Sequence, residues 1–78
     1  MQCFFVQIRC QLGRAYDVAE ALADTELTSE IYSTSGDWDL LVKIYLEDGQ
    51  DIGRFVNTHV HAVDGIDRTL TTLTFKAF

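Results

Sequence analysis

The residues best suited to binding chemistry form one short segment, Ser35-Gly36-Asp37-Trp38-Asp39, which directly precedes an apolar run. Glycine and aspartate favour a turn here, because glycine tolerates positive φ and an aspartate side chain bonds nearby backbone N–H groups. A turn does not require Trp38, the only tryptophan of the chain. Backbone N–H groups near Gly36 suit a carboxylate, and an aspartate suits an ammonium group. The segment is therefore interpreted either as an ordinary turn or as a binding site for a zwitterion such as an amino acid.

Catalytic and metal-binding patterns are weak by comparison. His59 and His61 lie two positions apart on a predicted helix and point to different sides, whereas zinc-binding helices place histidines at i and i+4. No Ser/His/Asp or Cys/His spacing indicates a nucleophile. Cys3 and Cys10 would be roughly 23 Å apart along one strand and on opposite faces, too far for a disulfide. We expect two reduced thiols, no catalytic residue, no metal and no cofactor, with His59 partly packed and His61 at the surface.

Six periodic segments separated by glycines would position the turn. The patterns predict strands over 3–11, 27–34, 39–47 and 66–76, and helices over 14–24 and 50–62. The core stripe predicted for the second helix is Ile52, Phe55, Val56, His59 and Val63. The β-α-β-β-α-β order predicts one domain over 1–78 with a ferredoxin-like α+β fold. Its four-stranded antiparallel sheet would have the strand order 4-1-3-2 and both helices on one face.

Alternate residues of the two central strands differ in chemistry. The even-numbered set is apolar and predicted to lie under the helices: Phe4, Val6, Ile8, Leu40, Val42, Ile44 and Leu46. The odd-numbered set mixes Phe5, Leu41 and Tyr45 with polar residues. A contiguous apolar patch of this kind usually marks an interface. We therefore expect the odd-numbered face to pack on a second copy in a two-fold dimer of the dimeric α/β-barrel type.

Composition limits the partners. The 78 residues carry 12 acids against 6 bases, a net charge of -6, and the bases are scattered. Nucleic-acid binding uses clustered Lys and Arg to neutralise phosphates, so no direct nucleic-acid binding is expected. No apolar run is long enough to span a membrane, and the N-terminal apolar part is short for a signal peptide. A cytoplasmic location is the expectation.

Two segments carry a resemblance to a known family. They are TSGDWDLLVKIYLED, which contains a Gly36-x-x-Asp39 turn before an apolar strand, and VDGIDRTLTTLTF at the start of the last strand. Together, in this element order, they resemble the RAM domain, the effector-binding half of the leucine-responsive/asparagine-regulator (Lrp/AsnC) family of transcription regulators. The resemblance covers nearly the whole chain and agrees with the predicted fold.

The resemblance implies an amino-acid effector bound between dimers near the turn. Gly36 would offer backbone groups, and Asp39 would be a polar contact or loop organiser. The remaining ligand-binding candidates are Ser35, Asp37 and Trp38, which would shape the pocket, and Thr69 and Thr71, which would contribute hydroxyl groups. Dimers would form through the sheet face and associate further into a ring-like oligomer.

Several alternatives stay open from the sequence. Full-length family members carry a helix-turn-helix, and this sequence starts at the first RAM strand, so we expect a stand-alone RAM protein without DNA binding of its own. It would sense an amino acid or join the assembly of a full-length Lrp/AsnC relative. Other interpretations are a small dimeric α/β-barrel enzyme of the monooxygenase or isomerase type, an ACT domain with its ligand near Gly13, and a ligand-free assembly module. The identity of the amino acid is left open.

Overall fold

The helices and strands follow the predicted β-α-β-β-α-β order in the computed structural model, which describes residues 1–78. The elements are β1 (Gln2–Cys10), α1 (Ala15–Asp24), β2 (Glu30–Ser33), β3 (Leu40–Leu46), α2 (Ile52–Phe55) continued by a π-helical turn (Val56–Val60), and β4 (Ile66–Leu73). The sheet order β2-β3-β1-β4, antiparallel at each pairing, is the predicted 4-1-3-2. The ferredoxin-like α+β fold is confirmed. No helix has the length and apolar character needed to span a membrane.

The even-numbered residues of β1 and β3 form the sheet side of the core, as predicted. Phe4, Val6 and Ile8 are fully buried, and Leu40 and Ile44 are at most 1% exposed. From the other side, the core is closed by Val18 and Leu22 of α1 and by two valines of the π-helical turn. Burying one such aliphatic side chain contributes about 1.5–3 kcal/mol. We call this side of the sheet the covered face.

The second helix departs from its predicted core stripe. The His61 N–H donates to the Val56 carbonyl at 2.9 Å, an i to i+5 hydrogen bond. A π-helical turn takes up one more residue than an α-helical turn, so the following core position moves along by one. Val60 is 2% exposed, whereas His59 is exposed, with its ring centroid 4.7 Å from that of Phe55. The prediction that His59 belongs to the core stripe is therefore wrong, and Val60 takes its place.

Two strands are shorter than predicted. β2 spans Glu30–Ser33 instead of 27–34, and β4 ends at Leu73 instead of 76. The residue before the shortened strand, Ser29, still donates its N–H to the Lys43 carbonyl at 2.8 Å. Both strands lie at sheet edges, where each has only one neighbour to pair with.

The opposite side of the sheet has no covering layer within the chain, and we call it the open face. The register places Tyr32 beside Leu41 and Glu30 beside Lys43. On the other edge, Thr72, Leu70 and Arg68 of β4 lie opposite Phe5, Gln7 and Arg9 of β1. The Lys43 ammonium lies 6.0 Å from the Phe5 ring centroid, 5.2 Å from that of Tyr45 and 3.3 Å from the Glu30 carboxylate. The open face thus combines exposed aromatic side chains with charged groups.

Candidate functional site

The turn between β2 and β3 is closed by its own hydrogen bonds. The Thr34 N–H donates to the Asp39 carbonyl at 3.0 Å, and the Thr34 hydroxyl donates to the Trp38 carbonyl at 2.7 Å. Gly36 has φ +90, a conformation that other residues rarely adopt. The turn predicted at Ser35–Asp39 is therefore present, with a glycine where positive φ requires one.

Asp39 fastens the turn to the end of β1. Its carboxylate Oδ2 accepts the Cys10 N–H at 2.7 Å, and its own N–H donates to the Ile8 carbonyl at 2.8 Å. These two bonds hold the turn against β1, and the ligand-binding role of Asp39 stays a prediction. Its second oxygen, Oδ1, makes no hydrogen bond within the chain, so Asp39 also keeps one acceptor for another group.

Two arginines that sequence reasoning did not select lie beside the turn. Arg9 Nη1 donates to the Asp37 carbonyl at 2.8 Å. The Arg68 guanidinium carbon lies 5.3 Å from the Trp38 ring centroid, within the range of a cation–π contact. Arg9 and Arg68 are directly opposite each other in the β1–β4 ladder. The signal that would have found them is the strand register, which spacing along the chain does not reveal.

A cavity of about 390 Å³ opens at the turn end of the sheet. It is lined by the end of β1, the β1–α1 loop, the turn and the start of β4, through Arg9, Cys10, Gln11, Leu12, Gly13, Ala15, Asp39 and Asp67. The register shifts between Arg9↔Arg68 and Cys10↔Ile66, so Asp67 is the extra residue of a β-bulge. Bulges re-aim side chains beside functional sites. The residues that line the cavity thus include two aspartates and one arginine.

The predicted site residues do not all reach the cavity. Asp39 lines the cavity, whereas Ser35, Gly36 and Asp37 are exposed in the turn. Trp38 is half-buried against Arg68.

Thr69 and Thr71 are not brought to the cavity. They lie opposite Ile8 and Val6, on the covered-face side of β4. The Thr69 hydroxyl is 2.7 Å from His61 Nε2 and lines a neighbouring depression of about 320 Å³ that also includes Asp67. The binding role of Thr69 and Thr71 stays a prediction, and any role of Thr69 would pass through this second depression.

The enzyme alternative would be favoured by a pocket of mixed polar and apolar lining, deep between the helices and the sheet. The two remaining cavities lie elsewhere. One cavity lies along α2 and another on the open face beside the C-terminal residues 74–77. None lies between the sheet and both helices. The thiol nearest the main cavity is Cys10, whose pKa is raised by burial and, to a smaller extent, by the negative charge of Asp39. A raised pKa leaves little thiolate at neutral pH, so Cys10 is a poor nucleophile.

Comparison with known proteins shows similarity over nearly the whole chain. Residues 3–78 match the family model of the Lrp/AsnC ligand binding domain. The HTH-type transcriptional regulator FL11 of Pyrococcus abyssi is 29% identical over 72 residues, which are 92% of this chain and 47% of that protein. The chain thus spans about half the length of the curated relatives it matches.

Solved structures share the fold. TTHA0845 from Thermus thermophilus has a TM-score of 0.89 and 32% identity, covering 100% of this chain and 98% of that one. The transcriptional regulator NMB0573 of Neisseria meningitidis, solved as a complex with L-Met, has a TM-score of 0.82 at 14% identity, covering 96% of this chain and 50% of that one. Since the family match extends over nearly all of its residues, this chain belongs to the Lrp/AsnC ligand-binding domain family.

Proposed function

We propose that this chain binds a small amino acid at the turn end of its sheet and serves as an oligomerisation module in the transcription regulation of amino-acid metabolism. The observation that carries the proposal is the cavity of about 390 Å³, which holds charges of both signs in a chain of this family. An amino acid is a small zwitterion and needs both an anionic and a cationic partner. The volume lies in the range of small-ligand pockets.

The charges are distributed so that the two ends of an amino acid have different partners. Asp67 and the unbonded Oδ1 of Asp39 suit the ammonium group, and Arg9 suits the carboxylate. The turn residues Ser35, Gly36, Asp37 and Trp38 bound the same end of the sheet, and Thr69 and Thr71 lie on β4, on the far side of β1. The structure of NMB0573 as an L-Met complex supports an amino acid as the ligand class.

Dimerisation through the open face completes the proposal. Phe5 and Leu41 are partly exposed and Tyr45 is 46% exposed, although all three lie at the centre of the sheet. Pairing with a second copy would remove these groups from water. Because the net charge of -6 disfavours contact with nucleic acid, effects on transcription would pass through higher assembly, including assembly with a DNA-binding Lrp/AsnC relative.

A thermal-shift screen of the purified protein against the standard amino acids tests the binding function. A ligand that binds only the folded state raises the melting temperature as its concentration rises. The informative variants are Asp67→Asn and Asp39→Asn, since asparagine still offers an oxygen to the Cys10 N–H but lacks the charge. Glu20→Gln, on the exposed side of α1, is the matched control.

We expect one or a few amino acids to stabilise the wild-type protein and Glu20→Gln, and to lose this effect in both aspartate variants. Stabilisation that survives in both variants would move the site away from this cavity. An absence of stabilisation by every amino acid would contradict the proposed ligand class and favour a ligand-free assembly module.

A further inference from the structure

We propose that Arg9 and Arg68, together with the indole of Trp38, form a carboxylate-binding subsite on the open face beside the turn. The inference rests on the proposed function, because the carboxylate is taken to be that of the amino-acid effector. It deepens that function by naming the side chains that recognise one end of the ligand. Sequence reasoning selected only Trp38 of the three, and did so as a pocket-shaping residue.

The charge distribution of the molecule is the first observation. The chain has 12 acids and 6 bases, yet on the open face the paired strands carry three bases, Arg9, Lys43 and Arg68, and one acid, Glu30. Lys43 pairs with Glu30 at 3.3 Å. No ion pair of the chain includes Arg9 or Arg68. Two arginines thus stay without a carboxylate in a protein that has two acids for each base.

The placement of these arginines is unfavourable without an anion. They are direct cross-strand neighbours, and like charges directly opposite each other destabilise a sheet. A carboxylate between the two guanidinium groups would turn this repulsion into two attractive contacts. Arginine matches the carboxylate geometry with parallel N–H donors, so each guanidinium can donate to one or both oxygens.

Both side chains are already held in place by contacts that leave their charge intact. Arg9 is half-buried and donates one N–H, from Nη1, to the Asp37 carbonyl at 2.8 Å. The Arg68 guanidinium carbon lies 5.3 Å from the Trp38 ring centroid, and none of the guanidinium N–H groups makes a hydrogen bond within the chain. Preorganised donors lose less entropy when a ligand binds. The turn therefore positions the subsite through Asp37 and Trp38.

The subsite adjoins the cavity, since Arg9 belongs to both. A ligand with its ammonium group at Asp67 and Asp39 would direct its carboxylate toward Arg9 and Arg68, with the indole as an apolar wall. A carboxylate can also come from an acidic side chain of a second copy packed on the open face. The chemistry is the same for both sources, and the experiment separates them.

Trp38 is a built-in probe, because it is the only tryptophan and contacts Arg68 directly. Tryptophan fluorescence would be followed during titration with sodium acetate, against sodium chloride at the same ionic strength. The test variant is the double substitution Arg9→Gln/Arg68→Gln. The control is Arg54→Gln, since Arg54 is exposed on α2, forms no ion pair and lies far from the turn in the fold. Arg68→Gln alone serves if the double variant does not fold.

We expect a saturable response to acetate in the wild-type protein and in Arg54→Gln, and binding at least about tenfold weaker in the double variant, as loss of charge-assisted bonds predicts. The same titrations at several protein concentrations, with sedimentation velocity, identify the source. A response independent of protein concentration assigns the subsite to a free ligand. Dissociation of dimers by acetate, together with weaker dimers in the double variant, assigns it to the carboxylate of a second copy.

An acetate response equal to that of chloride, or one unchanged in the double variant, would overturn the subsite. This failure is distinct from that of the proposed function. An amino acid that stabilises the protein while acetate has no specific effect would leave the function standing and remove the subsite. A specific acetate response without stabilisation by any amino acid would keep the carboxylate subsite and remove the amino-acid effector.

Discussion

Leu40 and Leu41 are neighbours on β3 with the same side chain and opposite surroundings. Leu40 is 1% exposed beneath the helices, whereas Leu41 lies partly exposed on the open face. No buried polar side-chain atom of the chain lacks a hydrogen-bond partner. On the open face, Tyr45 is 46% exposed, and Arg9 and Arg68 form no ion pair. The covered face specifies the fold, and we propose that the open face provides for binding and assembly.

The largest effect on stability is expected from truncation of Leu40, in comparison with the same truncation of Leu41. Leu40→Ala leaves a cavity in a closed core and should lower the free energy of unfolding by about 2–5 kcal/mol. Leu41→Ala removes a contact of the proposed dimer and should act mainly on association. Urea unfolding at several protein concentrations measures both. The comparison fails if the two variants lose the same stability at every concentration.

Asp39 provides the next largest effect, at the end of the sheet where the turn joins β1. Asp39→Ala leaves the partly buried Cys10 N–H without its acceptor and should cost about 1–3 kcal/mol. Asp39→Asn retains an acceptor and should lose clearly less. Thermal melts of the two variants, without ligand, measure the difference. Equal losses would show that the charge of Asp39, and not its hydrogen bond, holds the turn.

The two cysteines of β1 allow the two faces of the sheet to be compared by their labelling rates. Cys3 lies on the open-face side of β1 and is partly exposed, whereas Cys10 is 7% exposed on the covered side. Because burial raises the pKa of Cys10, its thiolate fraction at pH 8 is lowered. Labelling with a thiol reagent should be at least about tenfold slower at Cys10, equivalent to about 1.4 kcal/mol. Peptide mass spectrometry assigns the label to each cysteine. The two labelling rates should converge in urea, where the protein is unfolded. Equal rates in the folded protein would contradict the burial of Cys10.

The smallest effect on stability is expected from Glu30, the one acidic residue that the paired strands carry on the open face. Hydrogen bonds from Tyr32 and Lys43 lower the pKa of Glu30. A carboxylate with a lowered folded-state pKa stabilises the protein above its ordinary pKa and loses this contribution as pH falls through the folded value. Glu30→Gln should therefore be slightly less stable than wild type at neutral pH and equal to it in acid. A stability difference between Glu30→Gln and wild type that grows as pH falls would contradict this prediction.

Alternation along β1 and β3 was enough to predict both faces of the sheet, because side chains of a strand point to opposite sides with a fixed period of two. The element order and strand order followed from the hairpin and the helical connections. The π-helical turn was not predictable, since nothing in residues 56–60 distinguishes it from an α-helical turn. The helical pattern therefore predicts His59 at the core position that Val60 occupies.

The site was predicted less completely than the fold. The turn residues were found because Gly36, Trp38 and Asp39 are unusual side chains at one short loop. Arg9, Arg68 and Asp67 were missed, because their proximity depends on the β1–β4 register and on its bulge. Thr69 and Thr71 came from family resemblance, and strand pairing places them toward the covered face. Residues adjacent through pairing are not adjacent in any pattern along the chain.

The most direct test of an amino-acid site at the turn is an amide NMR spectrum of the labelled protein titrated with the standard amino acids. We expect one or a few of them to shift the amide signals of residues 9–13, 35–39 and 66–68, around the cavity and the turn. Signals of α2, including the depression around Arg54 and His59, should stay in place. Shifts confined to residues 50–59, or none with any amino acid, would contradict an amino-acid site at the turn end of the sheet.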